Sequence, residues 1–202
     1  MLQNKRFFVK QEVEVKIKIS SLQLDILKEW LGKNAAFVGQ TNHKDVYLDN
    51  PNDSFFFTDS EGKKNALRFF RVRLTDKDEY SACYKNWHVD KCTGKTTHCD
   101  EIEIKLVDGM QTLELLKAIG FTDKQVREKS REKYLFDSFE IVIDNIKKDT
   151  IFNGIFVEIE LNHQVDDVEA GIQSIYALLR DIGITTFKRQ ISGCGKMDKV
   201  NL

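Results

Sequence analysis

Carboxylates and cations set two residues apart recur along this chain and are the groups most able to do chemistry. Glu12-Val13-Glu14-Val15-Lys16 places two acids and a lysine on alternate positions. Glu101-Ile102-Glu103-Ile104-Lys105 is nearly the same word, and Val157-Glu158-Ile159-Glu160-Leu161 is a third version without the lysine. Cations alternate in the same way at Arg71 and Arg73 and at Lys129, Arg131 and Lys133; Lys85 is a single cation and Asp144 a single carboxylate. Clustered carboxylates suit hard divalent cations such as Mg²⁺ or Mn²⁺, and converging Arg and Lys donors suit phosphate oxygens. A ligand that satisfies both is a metal-bound polyphosphate.

A spacing of two is the period of a β-strand, so these groups need strands to carry them. In 12–19 the residues between the charges are Val13, Val15, Ile17 and Ile19, which gives a strand with one charged and one apolar face. Such a strand could simply present its charges to water; recurrence in three places argues instead for one shared surface. Each acidic strand leads into an apolar-periodic run ending near a glycine: Leu22 to Leu31 before Gly32, Thr112 to Ile119 before Gly120, and Val168 to Ile182 before Gly183. The first of these helices sets Leu24, Leu27 and Leu31 on one stripe, beside Leu22, Ile26 and Trp30, and can cover a sheet. Further strands are expected over 38–48, 67–74 and 80–85, a short strand or packed loop at 55–57, and a polar loop over 86–100.

The stretch 128–144 fixes a register. If Asp137-Ser138 is a tight two-residue turn, partners have numbers summing to about 275, so Arg131 lies opposite Asp144 and Lys133 opposite Val142. Lys129, Arg131 and Lys133 then share a face with Glu140 and Asp144, while Tyr134, Phe136, Phe139, Ile141 and Ile143 take the other. Roughly eight strands with charged faces turned toward one another cannot form a sandwich, whose facing surfaces are apolar. The expected fold is therefore α+β: a closed eight-stranded antiparallel β-barrel with a charged lumen and helices packed outside. Its lumen would gather Glu12, Glu14, Glu101, Glu103, Asp144, Glu158 and Glu160 with Lys16, Arg71, Arg73, Lys85, Lys129 and Arg131. Lys18, Lys105 and Lys133 read as charges at the rims.

Composition bounds the rest. The 202 residues, 41% hydrophobic, suffice for one core, and no Pro/Gly/Ser-rich linker divides them. A single domain over 1–192 is expected, with 193–202 as a flexible tail. The net charge of −1 conceals 31% charged residues in blocks of each sign, and gives no basic footprint for nucleic acid. No apolar run reaches the length of a membrane span or signal segment, so a cytoplasmic protein is expected. A homodimer is compatible with these features. Cys83, Cys92, Cys99 and Cys194 lack paired spacing; zinc held by Cys92, His98 and Cys99 with His88 is a weaker reading than reduced thiols, exposed where they lie in the loop. His43 reads as a hydrogen-bonding residue at a strand end, Trp30 as helix packing, and Trp87 as a loop anchor or a lid over a nucleotide base.

Glu12-Val13-Glu14-Val15-Lys16 resembles the amino-terminal signature of the CYTH superfamily, the triphosphate tunnel metalloenzymes, and the similarity spans almost the entire chain. His43-Lys44-Asp45-Val46-Tyr47-Leu48-Asp49, Glu128-Lys129-Ser130-Arg131 running on to Tyr134 and Asp144, and Phe156-Val157-Glu158-Ile159-Glu160 resemble the class IV adenylyl cyclase branch. The resemblance implies metal ions (Mg²⁺ or Mn²⁺) at Glu12, Glu14, Glu158 and Glu160, and a triphosphate on Lys16, Arg71, Arg73, Lys85, Lys129 and Arg131. It implies Glu12, Glu14, Lys16, Asp144 and Glu158 as catalytic residues, with Lys44, Glu101, Glu103 and Lys188 as further lumen groups. The implied reaction is ATP to cyclic AMP and pyrophosphate. The alternative is hydrolysis of inorganic, nucleoside or thiamine triphosphate, since both reactions use the same charged lining. A non-catalytic polyphosphate-binding module is disfavoured, because a pure anion binder has no use for Glu12, Glu14 and Glu158.

Overall fold

The computed structural model of the chain describes residues 10–11, 13–58, 64–89, 96–149, 153–163, 165, 167–190 and 197–202. In chain order these form β1 (Lys10–Gln11), β2 (Glu14–Ile19), α1 (Ser21–Asn34), β3 (Ala36–Asp49), β4 (Phe56–Thr58), β5 (Lys64–Ala66), β6 (Arg68–Thr75), β7 (Tyr80–Val89), β8 (Thr96–Leu106), α2 (Gly109–Ala118), β9 (Thr122–Phe136), β10 (Phe139–Lys148), β11 (Gly154–Leu161), α3 (Val168–Ile182), β12 (Thr186–Gln190) and β13 (Met197–Asn201). Eleven strands make one antiparallel sheet in the order β1-β8-β7-β6-β3-β9-β10-β11-β2-β12-β13; β4 and β5 pair apart from it.

The α+β class with its charged antiparallel strands is as the sequence implies, but the strand order has two ends and not the closed eight-stranded ring. One segment joins distant parts of that order. β1 pairs with β8 while β2, beginning three positions after Gln11, pairs with β11 and β12. Two expectations about loops and tail also change. β7 and β8 run to Val89 and from Thr96, well into the stretch read as irregular. Met197–Asn201 is a strand on β12, in place of a flexible tail; residues 193–196 lie outside the described ones.

The hairpin arithmetic holds residue for residue: Arg131 pairs with Asp144, Lys133 with Val142 and Phe136 with Phe139, around a turn in which Asp137 has φ 48°. Asp and Asn tolerate that left-handed conformation better than most residues, which is why a two-residue turn forms here.

Helices sit where apolar periodicity places them. Ser20 and Gln23 cap α1 reciprocally, and the helix continues through Gly32 to Asn34. Asp167 caps α3 by accepting the Glu169 and Ala170 amides, and Gly183 ends it at φ 93°. Together α1 and α3 cover one half of the sheet. Leu27, Leu31, Ile175, Leu179 and Ile182 meet Val15, Ile17, Ile141, Ile143, Val157 and Ile159 in the main core. α2 covers only part of the other half, lying on β6. Its first residue, Gly109, approaches so closely that an added Cβ would stand 2.3 Å from a Leu74 methyl. The core beneath it is small, built on Val46, Leu48, Val72, Ala82 and Leu113.

Candidate active site

The inner face of the sheet carries charge in lateral rows, because residues paired across strands point the same way. Tyr47 aligns with Gln125 on one side and Arg71 on the other, and Arg71 aligns with Cys83 and then Glu103. Asp45 aligns with Arg127 and Arg73, and Phe69 with Lys85 and then Glu101. On the far side Glu140, Glu160 and Glu14 form one row, and Val142, Glu158 and Lys16 the next.

Alternation dictates who faces inward. His43, Asp45 and Tyr47 share parity, so Lys44 falls on the opposite face with Val46 and Leu48 and is exposed. It is therefore not a lumen group. Lys188 shares its row with Lys18, and both are exposed.

At the centre lies a continuous ion-pair network. Arg131 forks onto Asp144, with Nε donating to Oδ1 and Nη2 to Oδ2, both at 2.7 Å, and Nη2 also donates to Glu158 Oε2 at 2.6 Å. Lys129 Nζ donates to Asp144 Oδ2 at 2.6 Å, and Lys16 Nζ donates to Glu158 Oε1. Both oxygens of fully buried Asp144 are thus taken by cations, so it orients Arg131 and Lys129 more than it reaches solvent. Burial pushes the Asp144 and Glu158 carboxyls up; Arg131 and Lys129 on Asp144, and Lys16, Arg131 and Lys129 on Glu158, outweigh it and hold both below the ordinary carboxylate range.

A second buried centre contains Asp45, which the sequence reading quoted in its motif but did not place in the lumen. Arg73 grips its carboxylate through Nε at 2.7 Å and Nη2 at 2.9 Å, and Arg71 Nη1 stands 3.6 Å away. Burial opposes ionisation there, and Arg73 and Arg71 overcome it. Arg127, bonded to Asp149 and 3.1 Å from the Tyr47 hydroxyl, was missed as well. The available signal for Asp45 was its parity with Tyr47, against Val46 and Leu48; Asp149 carried none.

One cavity draws its lining from β2, β3, β4, β6, β7, β9, β11 and β12. It is walled by Glu14, Lys16, Arg71, Lys85, Arg127 and Glu158, together with Tyr47, Phe56, Phe69, Cys83, Trp87, Gln125 and Gln190. Such a lining requires the sheet to curl strongly. Lys85 pairs with Glu101 at 2.7 Å, and the Cys83 thiol donates to Glu101 at 3.0 Å. Arg73 lines a neighbouring cavity with His43, Thr75, Ser81 and Glu103, where Ser81 donates to Glu103 at 2.8 Å. Arg131, Lys129 and Asp144 lie outside the lining of the first cavity and hold Glu158 within it.

His43 is not the hydrogen-bonding strand end expected. Its Nδ1 is buried and has no hydrogen-bond partner among the described residues, and burial with the charges of Arg73, Arg131 and Lys129 lowers its pKa to about 3. Cys99 is buried and not exposed, and burial raises both Cys83 and Cys99 to about 12. Glu14 adds to the rise at Cys99, which brings β2 and β8 into one electrostatic neighbourhood across the sheet.

Glu12, Cys92 and Cys194 lie outside the described residues. Among the described residues no three His, Cys, Asp or Glu side chains converge as an ion site. Of the expected quartet Glu12 is not among the described residues, while Glu14 and Glu160 stand directly opposite each other and Glu158 lines the same cavity as Glu14. Their carboxylates are the hard oxygen donors that a divalent cation takes. No helix among the described residues is long and apolar enough to cross a membrane.

An antiparallel sheet curled around a cavity of facing carboxylates and guanidinium groups defines a class of anion-handling α+β domains. Within it, the CYTH domain model matches residues 10–189, and the chain belongs to that family. It is 24% identical over 176 residues to a protein of Methanocaldococcus jannaschii provisionally named an adenylate cyclase, covering 86% of this chain and 90% of that one. The PH1819 protein of Pyrococcus horikoshii superposes with a TM-score of 0.66 at 25% identity, over 89% of this chain and 94% of that one. A Hippeastrum cyclase-like protein, described as having a dominant triphosphatase activity, shares the fold at 14% identity and a TM-score of 0.59, over 92% of each chain.

Proposed function

We propose that this chain converts ATP to cyclic AMP and pyrophosphate, with the curled sheet closing into a tunnel around the triphosphate. The observation that carries the reading is the meeting of Lys16, Arg71, Lys85 and Arg127 with Glu14 and Glu158 in a single cavity. The adenylate cyclase name of the Methanocaldococcus relative supports ATP as the substrate.

Lys16, Arg71, Lys85 and Arg127 take the phosphate oxygens. Lys16 and Lys85 are already paired with carboxylates, so a highly charged triphosphate competes for ammonium groups whose positions are set beforehand. Arg71 keeps its Nε without a hydrogen-bond partner among the described residues, ready for an oxygen. Arg131, clamped by Asp144, holds Glu158 at the cavity wall, while Asp45 orients Arg73 and Arg71. Glu14 and Glu160, with Glu12 and Glu158, would hold Mg²⁺ or Mn²⁺. When bound, such an ion neutralises phosphate charge and favours in-line displacement. The ribose 3′-hydroxyl attacks the α-phosphorus and gives up its proton to water, the α-phosphorus bond to the oxygen bridging to the β-phosphate breaks, and pyrophosphate leaves toward Arg71 and Lys85, which stabilise the departing charge.

Incubation with ATP and with tripolyphosphate, each with Mg²⁺ or Mn²⁺, and resolution of cyclic AMP, pyrophosphate and orthophosphate tests this. Cyclic AMP with equimolar pyrophosphate is expected from ATP. Orthophosphate from both substrates without cyclic AMP would make the protein a triphosphatase instead.

A further inference from the structure

The cavity is lined by aromatic rings as well as by charges. Beside the cations stand Phe56, Phe69 and Tyr47, with Phe69 near-perpendicular to both of the others: ring centroids are 6.4 Å apart at 85° for Phe56 and Phe69 and 6.5 Å apart at 81° for Tyr47 and Phe69. Trp87 lines the same space. Next to Tyr47 in register, Gln125 has a buried Nε2 with no hydrogen-bond partner among the described residues. A buried amide donor left unmade is costly, and an acceptor supplied by a ligand would satisfy it.

Phe56 does not come from the main sheet. It is brought by β4, whose approach is fixed on both sides. Asp49 accepts the Phe55 amide at 2.8 Å and the Ser54 hydroxyl at 2.9 Å, and Arg68 forks onto Asp53 at 2.7 and 2.9 Å while its guanidinium lies over the Phe55 ring. The small β4–β5 sheet thus serves to hold an aromatic side chain against the cavity.

Resting on the triphosphate reading above, we infer that Phe56, Phe69 and Gln125 form a subsite for a planar heteroaromatic group joined to the triphosphate, and that this wall selects a nucleoside triphosphate over inorganic tripolyphosphate. The inorganic chain has no apolar surface to cover the rings and no heterocyclic acceptor for Gln125. A nucleobase has both: a π-face for the rings and ring nitrogens for the amide.

The test is equilibrium binding of ATP and of tripolyphosphate, with Mg²⁺, to the wild type and to Phe56→Ala, Phe56→Leu and Phe56→Trp. Phe56→Ala is expected to weaken ATP about 10-fold and tripolyphosphate by less than about 2-fold, the scale of one lost base–aromatic contact. Phe56→Leu keeps the apolar bulk without a ring and is expected to lose as much; Phe56→Trp restores ATP binding. A wild type that binds both ligands, with Phe56→Ala weakening both equally or neither, leaves the triphosphate reading standing and overturns the aromatic subsite. A wild type that binds neither ligand overturns both.

Discussion

The half of the sheet around β2, β10 and β11 is roofed by two helices, whereas the half around β7 and β8 is barely roofed at all. Val15, Ile17, Ile141, Val157 and Ile159 on the first half are almost wholly buried under α1 and α3. On β8 the equivalent residues, Ile102 and Ile104, are 47% and 56% exposed, because α2 lies on β6 and does not reach them. The two halves place their charges accordingly. The roofed half carries the largely buried network of Asp144, Lys129, Arg131 and Glu158, and the open half carries Glu103 at an exposed edge. Alternation decides which face is apolar; a helix above decides whether that face contributes stability.

Asp144→Ala is expected to have the largest effect, about 3–5 kcal/mol in urea unfolding, since it strands two buried cations. An unchanged midpoint would show that the network contributes nothing to the roofed half. The same network sets the acid response. Asp144, Glu158 and Asp45 are held below their unfolded values, so their contribution is complete above the ordinary carboxylate range near pH 4 and is lost as pH falls through the lower folded values. His43, whose folded pKa of about 3 denies it a proton that the unfolded chain takes up, adds a decline that begins as pH falls through about 6.5. Stability should therefore slope down gently from about pH 6.5 and more steeply below about pH 4; a level profile down to about pH 4 would contradict the burial of a neutral His43.

Next in size is a matched pair of truncations. Leu179→Ala in the main core is expected to cost about 3–5 kcal/mol and Leu113→Ala in the small core about 2 kcal/mol. Equal losses would erase the distinction between the halves. Glu14→Gln should preserve the melting temperature yet lower divalent-ion-dependent turnover on the order of 100-fold, roughly 2.7 kcal/mol of barrier, because an amide is a weaker ligand than a carboxylate. Wild-type turnover would remove Glu14 from the metal site. Smallest is Ile104→Thr on the open face, expected within about 0.5 kcal/mol of wild type; a loss of several kcal/mol would mean that this face is covered in solution.

Much of this was legible from period and turn chemistry. The Asp137-Ser138 turn fixes which residues oppose each other over β9 and β10, and no tertiary information is needed for that. α3 could be bounded from its apolar stripe and Gly183. Lys44 was assigned to the lumen from the company it keeps in a motif, when its parity with Val46 and Leu48 already excluded it. The exposure of Ile102 and Ile104 was not legible, since β2 and β8 share the same word and differ only in what packs above them. Nor was the aromatic wall: Phe56 reaches the cavity through a separate pair of strands whose docking rests on Asp49, Asp53 and Arg68.

The contact between Lys16 and Glu158 spans 142 residues of chain, and this bears on how the protein is born. At about 5–20 residues per second, a ribosome needs roughly 7–30 s after making β2 to make the strand that pairs with it. Throughout that interval Val13, Val15, Ile17 and Ile19 have no native cover from α3 or β11. High-separation pairing of this kind folds slowly and exposes an aggregation-prone strand meanwhile. The charges between those apolar residues would then act early as gatekeepers, long before they meet a substrate.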